Sequence, residues 1–262
     1  LQQCTHDLVL LTDADCMPAG KDWLYHMAGA YQRAKQQEPQ RSFFVLGYGA
    51  YEQKAGLLNK FIRWETVHTF IQYTSWARVG HPYMGVGRNL MYERKPVLAA
   101  LEQDEDFASL FRRTASGDDD LIVSWLALRQ NAVVMDHPEA STISAVKEEW
   151  ADWWKQKTRH VSSGKYYDDK VKRGLAAYAG SGFLFWLSAL ALFLSADPKI
   201  QIIVLILVLL RTAVYSALYR KWYRVLNEKR LNAFSLAGDL MWVGYNIVLA
   251  PYIFFKNKQQ WK

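Results

Sequence analysis

Two neighbouring apolar stretches constrain this chain more than any other feature. Leu175 to Ser195 contains no charged residue, and Ile200 to Tyr219 contains only Arg211. As helices rising about 1.5 Å per residue, both are long enough to cross a hydrocarbon layer about 30 Å thick. Ala196-Asp197-Pro198-Lys199 is a tight connection between them, so an antiparallel hairpin is expected. Lys165, Lys170, Lys172 and Arg173 precede the first stretch, and Arg220, Lys221, Arg224, Lys229 and Arg230 follow the second. Both open ends are basic, and the positive-inside rule then places everything N-terminal to the hairpin in the cytoplasm. A third stretch, Leu240 to Phe255, is broken by Asn246 and Pro251 and either spans or is re-entrant. Its basic tail, Lys256, Lys258 and Lys262, favours a cytoplasmic end. The expectation is a multi-pass protein of a cell inner membrane, with a membrane domain over 171–262 and helices near 175–195, 200–219 and 236–255.

The mean hydropathy of −0.15 averages this region with a polar first two-thirds. Of the 262 residues, 51% are hydrophobic, enough for a sizeable core and too many for disorder. The net charge of +7 is concentrated beside the apolar runs, as membrane flanks require, so nucleic acid is not an expected partner. Cys4 and Cys16 are the only cysteines, too few for a disulfide framework or a Cys-rich zinc site.

The N-terminal part, 1–170, reads as a separate cytoplasmic domain. Leu8-Val9-Leu10-Leu11 is an apolar run of the kind that forms a buried parallel strand. Such a strand needs neighbours, which implies a segment upstream. Asp22 to Gln37 reads as a helix and Phe43 to Leu46 as a second buried strand. This alternation predicts an α/β fold with catalytic groups where strands end and loops begin. Ala55 to Ala77 is helical by its pattern of Leu57, Leu58, Phe61 and Ile62, and either packs in the core or lies against the membrane interface. Lys147 to His160 is a further helix, with Trp150, Trp153 and Trp154 on one face. That face suits the bilayer interface or a soluble core.

Asp13-Ala14-Asp15 follows directly on the first strand. In extended chain, residues i and i+2 point the same way, so two hard oxygen ligands converge. They suit Mg2+ or Mn2+, whose other positions phosphate and water can fill, although Asp-x-Asp is also ordinary turn chemistry. Ser116-Gly117-Asp118-Asp119-Asp120 is a second acidic cluster, ahead of an apolar helical run from Ile122 to Leu128. One acidic residue there would complement a helix dipole; three crowded carboxylates raise the proton affinity of at least one, which suits a general base. Gly85-Val86-Gly87-Arg88-Asn89 marks either a close backbone approach, with a guanidinium and an amide adjacent, or a structural turn. Gln156-Lys157-Thr158-Arg159-His160 ends the tryptophan helix with a cationic cluster, suited to a diphosphate or to a solvated helix terminus.

In this order, the elements resemble glycosyltransferase family 2, inverting enzymes with a GT-A fold, and in particular a membrane-bound bacterial member truncated at the N-terminus. The resemblance covers roughly residues 5 to 170. It implies that Asp13 and Asp15 hold the metal, Mg2+ or Mn2+, and the nucleotide-sugar donor. It implies that Asp119, or Asp118, is the general base, Gly117 standing where an acidic residue is common. Gln156, Arg159 and His160 look like the family's Gln-x-x-Arg-Trp donor motif, with His in place of Trp, and Gly85, Gly87, Arg88 and Asn89 resemble a segment next to the acceptor. The implied fold is a GT-A-like mixed or parallel sheet, incomplete at its N-terminus, followed by transmembrane helices. The implied reaction is hexosyl transfer to a lipid, lipid-linked glycan or polysaccharide acceptor. The rival reading is a non-catalytic membrane protein that binds a partner through its tryptophan-rich face.

Overall fold

Leu8–Leu11 forms strand β1, but not the buried parallel strand expected of it. It pairs antiparallel with β5 (Leu90–Glu93), with Leu8 opposite Glu93 and Leu11 opposite Leu90, and all four of its residues are only half-buried. An apolar run leaves strand direction open, because hydrophobicity reports burial and not which neighbour supplies the ladder. In a computed structural model that describes residues 1, 3–113, 117–127, 132–195 and 197–255, β1 is the outer strand of a four-stranded mixed sheet. Its order is β1, β5, β3 (Phe44–Leu46), β6 (Ala132–Val134), with β3 antiparallel to β5 and parallel to β6. Ser116, Leu128, Ala196 and the tail residues Lys256, Lys258 and Lys262 lie outside the described residues, as do the side chains of 160–163 and 251–255.

A second sheet has the order β2 (Cys16–Pro18), β7 (Thr142–Ser144), β4 (Gly49–Tyr51), with β2 antiparallel and β4 parallel to β7. Asp13 and Asp15 occupy the turn between β1 and β2 and so sit where the two sheets meet. Helix α1 (Trp23–Gln37) covers one face of the larger sheet, burying Met27 and Ala30 against Val45 and Met91. Helices α3 (Arg94–Gln103) and α4 (Glu105–Arg113) lead from β5 towards α5 (Asp118–Leu126), which carries the second acidic cluster at its first turn.

Helix α2 (Leu57–Arg78) is the axis of the main core. Phe61, Trp64, Val67, Phe70 and Tyr73 are almost completely buried, and so are the polar Asn59, Arg63, Glu65 and His68. Burial on so many sides requires cover beyond the sheet, and the C-terminal helices supply it. Gly238 lies against the Trp64 indole so closely that a Cβ there would come within 2.4 Å of the ring. The core-packing reading of this helix therefore holds, because apolar C-terminal helices themselves pack on it. Helix α6 (Trp150–His160) behaves similarly. Trp153 is buried edge-on against Phe61 and Tyr245, Trp154 is half-buried, and Trp150 remains 45% exposed. The three indoles thus do not form one outward face.

Among the described residues, three helices are long and apolar enough to cross a membrane: α7 (Asp169–Phe193), α8 (Pro198–Val225) and the segment Asn232–Ala250, most of it in α9 (Ser235–Phe255). Such surfaces imply membrane association. Helix α7 starts earlier than its apolar stretch because Asp168 caps it, accepting from the Lys170 N–H at 2.8 Å. Asp197 does the same for α8, with Pro198 in the first turn. The helices differ in surroundings: 6% of the most apolar part of α7 and 11% of that of α8 are buried, against 39% for the third. The α7–α8 hairpin projects Leu187, Leu190, Ile203, Ile206 and Leu210 outward, whereas α9 packs on α2. Inside the apolar region, Arg211 of α8 donates to Asp239 of α9 at 2.8 and 3.0 Å, and the Trp186 indole of α7 joins the same carboxylate at 3.0 Å. An ion pair so placed ties the three helices together.

Candidate functional site

The β1–β5 register sets up the site. Leu11 faces Leu90, so the residues just before Leu90, the 3-10 turn Gly87–Asn89, come alongside those just after Leu11, which are Thr12, Asp13 and Ala14. The Cys16–Ser144 pairing in the smaller sheet fixes the far side of the turn, and the Cys16 Sγ lies 2.9 Å from the Ser144 Oγ.

Asp119 joins this turn to α5. Its Oδ2 accepts from the Gly87 backbone N–H at 2.5 Å, and its Oδ1 accepts from the Asp120 N–H at 2.9 Å. Asp118, next to it, is exposed at the helix start. Asp120 is buried and accepts from the Tyr167 hydroxyl at 3.0 Å. The three adjacent carboxylates thus have three environments. Burial pushes the Asp119 carboxyl up to about 6, against the pull of its two backbone donors and with help from the charges of Asp118 and Asp13.

Asp13 and Asp15 are exposed. Partial loss of water raises the Asp13 carboxyl above its usual range; the Arg88 charge opposes this, Asp15 and Asp118 add to it, and Arg159 opposes it. Residues from four separate parts of the sequence therefore act electrostatically on one carboxylate. Ligand atoms of Asp13, Asp15 and Cys16 lie within 4.8 Å of one another. Burial raises the Cys16 thiol against the opposing pull of its Ser144 hydrogen bond, which leaves two hard carboxylates with solvent in front of them as the better ligands. That donor set fits Mg2+ or Mn2+, which retain water or take phosphate oxygens.

The remaining predicted positions divide into surface and support. Arg88 lies over the Tyr51 ring at 4.2 Å and donates to the Gly49 carbonyl at 2.6 Å, so its charge reaches Asp13 from behind the turn. Asn89 is fully buried, its amide donating to the Tyr48 and Ala140 carbonyls at 2.9 and 2.7 Å and its oxygen accepting from the Trp23 indole. It holds the turn together and is out of reach of an acceptor. Gly85 packs among Leu46, Leu90 and Val123, again as support, while Gly87 lies against Asp119. On α6, Gln156 donates to the Tyr51 hydroxyl at 3.3 Å, and Arg159 is the exposed cation whose charge reaches Asp13. The side chain of His160 is outside the described residues. Sequence reasoning missed Tyr51, which links Gln156 to Arg88, and Cys16 with Ser144, which braces the acidic turn. The Gln156–Tyr51 and Cys16–Ser144 pairings each span more than 100 positions and left no local signal.

No protein-family model matches this sequence, and no curated protein matches it either.

Proposed function

We propose that this chain is a metal-dependent, inverting glycosyltransferase of the GT-A type, moving a sugar from a nucleotide-sugar donor to a membrane-associated lipid or glycan acceptor. One observation carries the reading. Asp13 and Asp15 on an exposed turn, Asp118 and Asp119 at a helix start, and the cations Arg88 and Arg159 act on one another at one end of a mixed sheet. The reaction needs two different acidic devices, one for the departing diphosphate and one for the acceptor hydroxyl, and two acidic groups of different environment are present.

Asp13 and Asp15 would hold Mg2+ or Mn2+, whose charge would offset that of the departing diphosphate. Arg159 and Gln156, from α6, would close over the donor phosphates. The acceptor oxygen attacks the anomeric carbon, the bond from that carbon to the diphosphate oxygen breaks, and the hydroxyl proton passes to the carboxylate of Asp119 or its exposed neighbour Asp118. A single displacement of this kind inverts the anomeric centre. The basic residues Arg173, Arg220 and Arg224 at the open ends of the α7–α8 hairpin favour a cytoplasmic catalytic domain in an inner membrane. The rival reading, a partner-binding tryptophan face, has less to stand on, because Trp153 is turned into the protein.

The test is a screen of UDP- and GDP-sugars with the intact protein in membranes, with Mn2+, with Mg2+ and with chelator. Transfer or hydrolysis that requires the cation and disappears in Asp15→Asn is expected. Wild-type rates in that variant would overturn the metal assignment, and no cation-dependent nucleotide binding by the wild type would overturn the reading as a whole.

A further inference from the structure

Lys157 stands between Gln156 and Arg159 in sequence but points the other way. Its ammonium donates to the Glu65 Oε2 of α2 at 2.5 Å, and the two side chains are only 16% and 5% exposed. The other Glu65 oxygen accepts from the Tyr245 hydroxyl of α9 at 3.1 Å and from the Thr69 hydroxyl at 3.3 Å. One turn before Lys157 on α6, Trp153 is wedged against Phe61 of α2 and Tyr245 of α9, with ring centroids 5.4 and 5.6 Å away. A single buried carboxylate is therefore shared by the core helix, the helix that carries the cationic motif and an apolar helix of the membrane region.

We propose that Glu65 and Lys157 are positioning residues through which the membrane helix α9 sets the placement of Gln156 and Arg159 at the donor site. Two apolar side chains of similar volume would hold α6 on α2 as firmly, since burying an ion pair adds little stability. What a carboxylate shared among several donors adds is direction: it fixes the rotation of α6 about its axis. Lys157 is one residue from Gln156 and two from Arg159, so a rotation that releases Lys157 swings both away from Tyr51 and Asp13. The inference rests on the reading of Gln156 and Arg159 as donor-binding residues. It adds that donor binding depends on how α9 is seated, which ties the site to the membrane around it.

The experiment uses the membrane-embedded protein with two measurements: binding of UDP and of GDP in the presence of Mn2+, and hydrogen exchange of the amides of 150–160. Lys157→Met is expected to raise the nucleotide Kd about tenfold, and Lys157→Arg to restore it. Tyr245→Phe keeps the ion pair and removes only the tie to α9; it is expected to raise Kd about threefold and to speed exchange in α6. Should Lys157→Met fail to fold, Tyr245→Phe decides the matter. Wild-type Kd and wild-type exchange in Tyr245→Phe would overturn the coupling. A wild type that binds neither nucleotide would overturn the donor reading, while the exchange measurement still decides whether α9 positions α6.

Discussion

Asp13 and Asp15 stand exposed on a turn between two sheets, whereas Asp119, which feels the Asp13 charge, is half-buried with both oxygens held by backbone N–H groups. Aspartates of two similar Asp-rich segments have thus been given different environments. An exposed carboxylate keeps its oxygens for a ligand and contributes little to the fold. One held by backbone donors is fixed in place, raised towards neutrality and built into the structure. The difference separates binding a charged group from holding or releasing a proton.

The largest expected effect lies on the exposed side. Asp13→Asn should lower the rate of sugar transfer about 1000-fold, by analogy with removal of a single charge-stabilising group. Its melting temperature should stay within about 2 °C of wild type, because exposed polar substitutions usually cost under about 0.5 kcal/mol. A large drop in melting temperature would show that the acidic turn is a structural brace and would break the contrast.

On the anchored side, Asp119→Ala should cost both activity and stability. It leaves the Gly87 and Asp120 N–H groups without their acceptor, so a loss of about 2 kcal/mol is expected in denaturant unfolding. If Asp119 also takes the acceptor proton, its rate falls well below that of Asp118→Asn; the reverse order would make Asp118 the base.

The pH dependence sharpens the same distinction. The Asp119 carboxyl titrates near about 6 in the folded chain, against an ordinary value of 3.8. Between those values the folded state holds a proton that the unfolded state has released. The stability contributed by protonated Asp119 is therefore complete below the unfolded value and is lost as pH rises through about 6. Activity that requires the carboxylate moves oppositely, rising over the same interval. Mn2+ at Asp13 and Asp15 should shift the activity midpoint to lower pH by cancelling the Asp13 charge that helps raise it. Asp119→Asn should flatten the stability slope between about pH 4 and 6.

The smallest effect is expected for Gly87→Ala. The added Cβ would lie 3.0 Å from the Asp119 Oδ2, which must shift by a few tenths of an ångström. A cost of about 1 kcal/mol is expected in thermal unfolding, with a change in the pH profile larger than the change in stability would suggest.

The sequence by itself determined the local features of this protein. The apolar lengths of α7 and α8, the helix over most of 55–77 and the two acidic clusters all follow from nearest-neighbour chemistry, hydrophobic period and run length. Only the tertiary structure decided which way β1 pairs, that Asn89 and Gly85 support the turn from inside, that Trp153 faces inward, and that Asp119 rather than Asp118 is anchored to Gly87. The physical reason is one of range. Periodicity and composition report how much of a segment avoids water, but not which distant segment covers it. The candidate site consists of such long-range meetings: Leu11 with Leu90, Cys16 with Ser144, Gln156 with Tyr51 and Gly87 with Asp119.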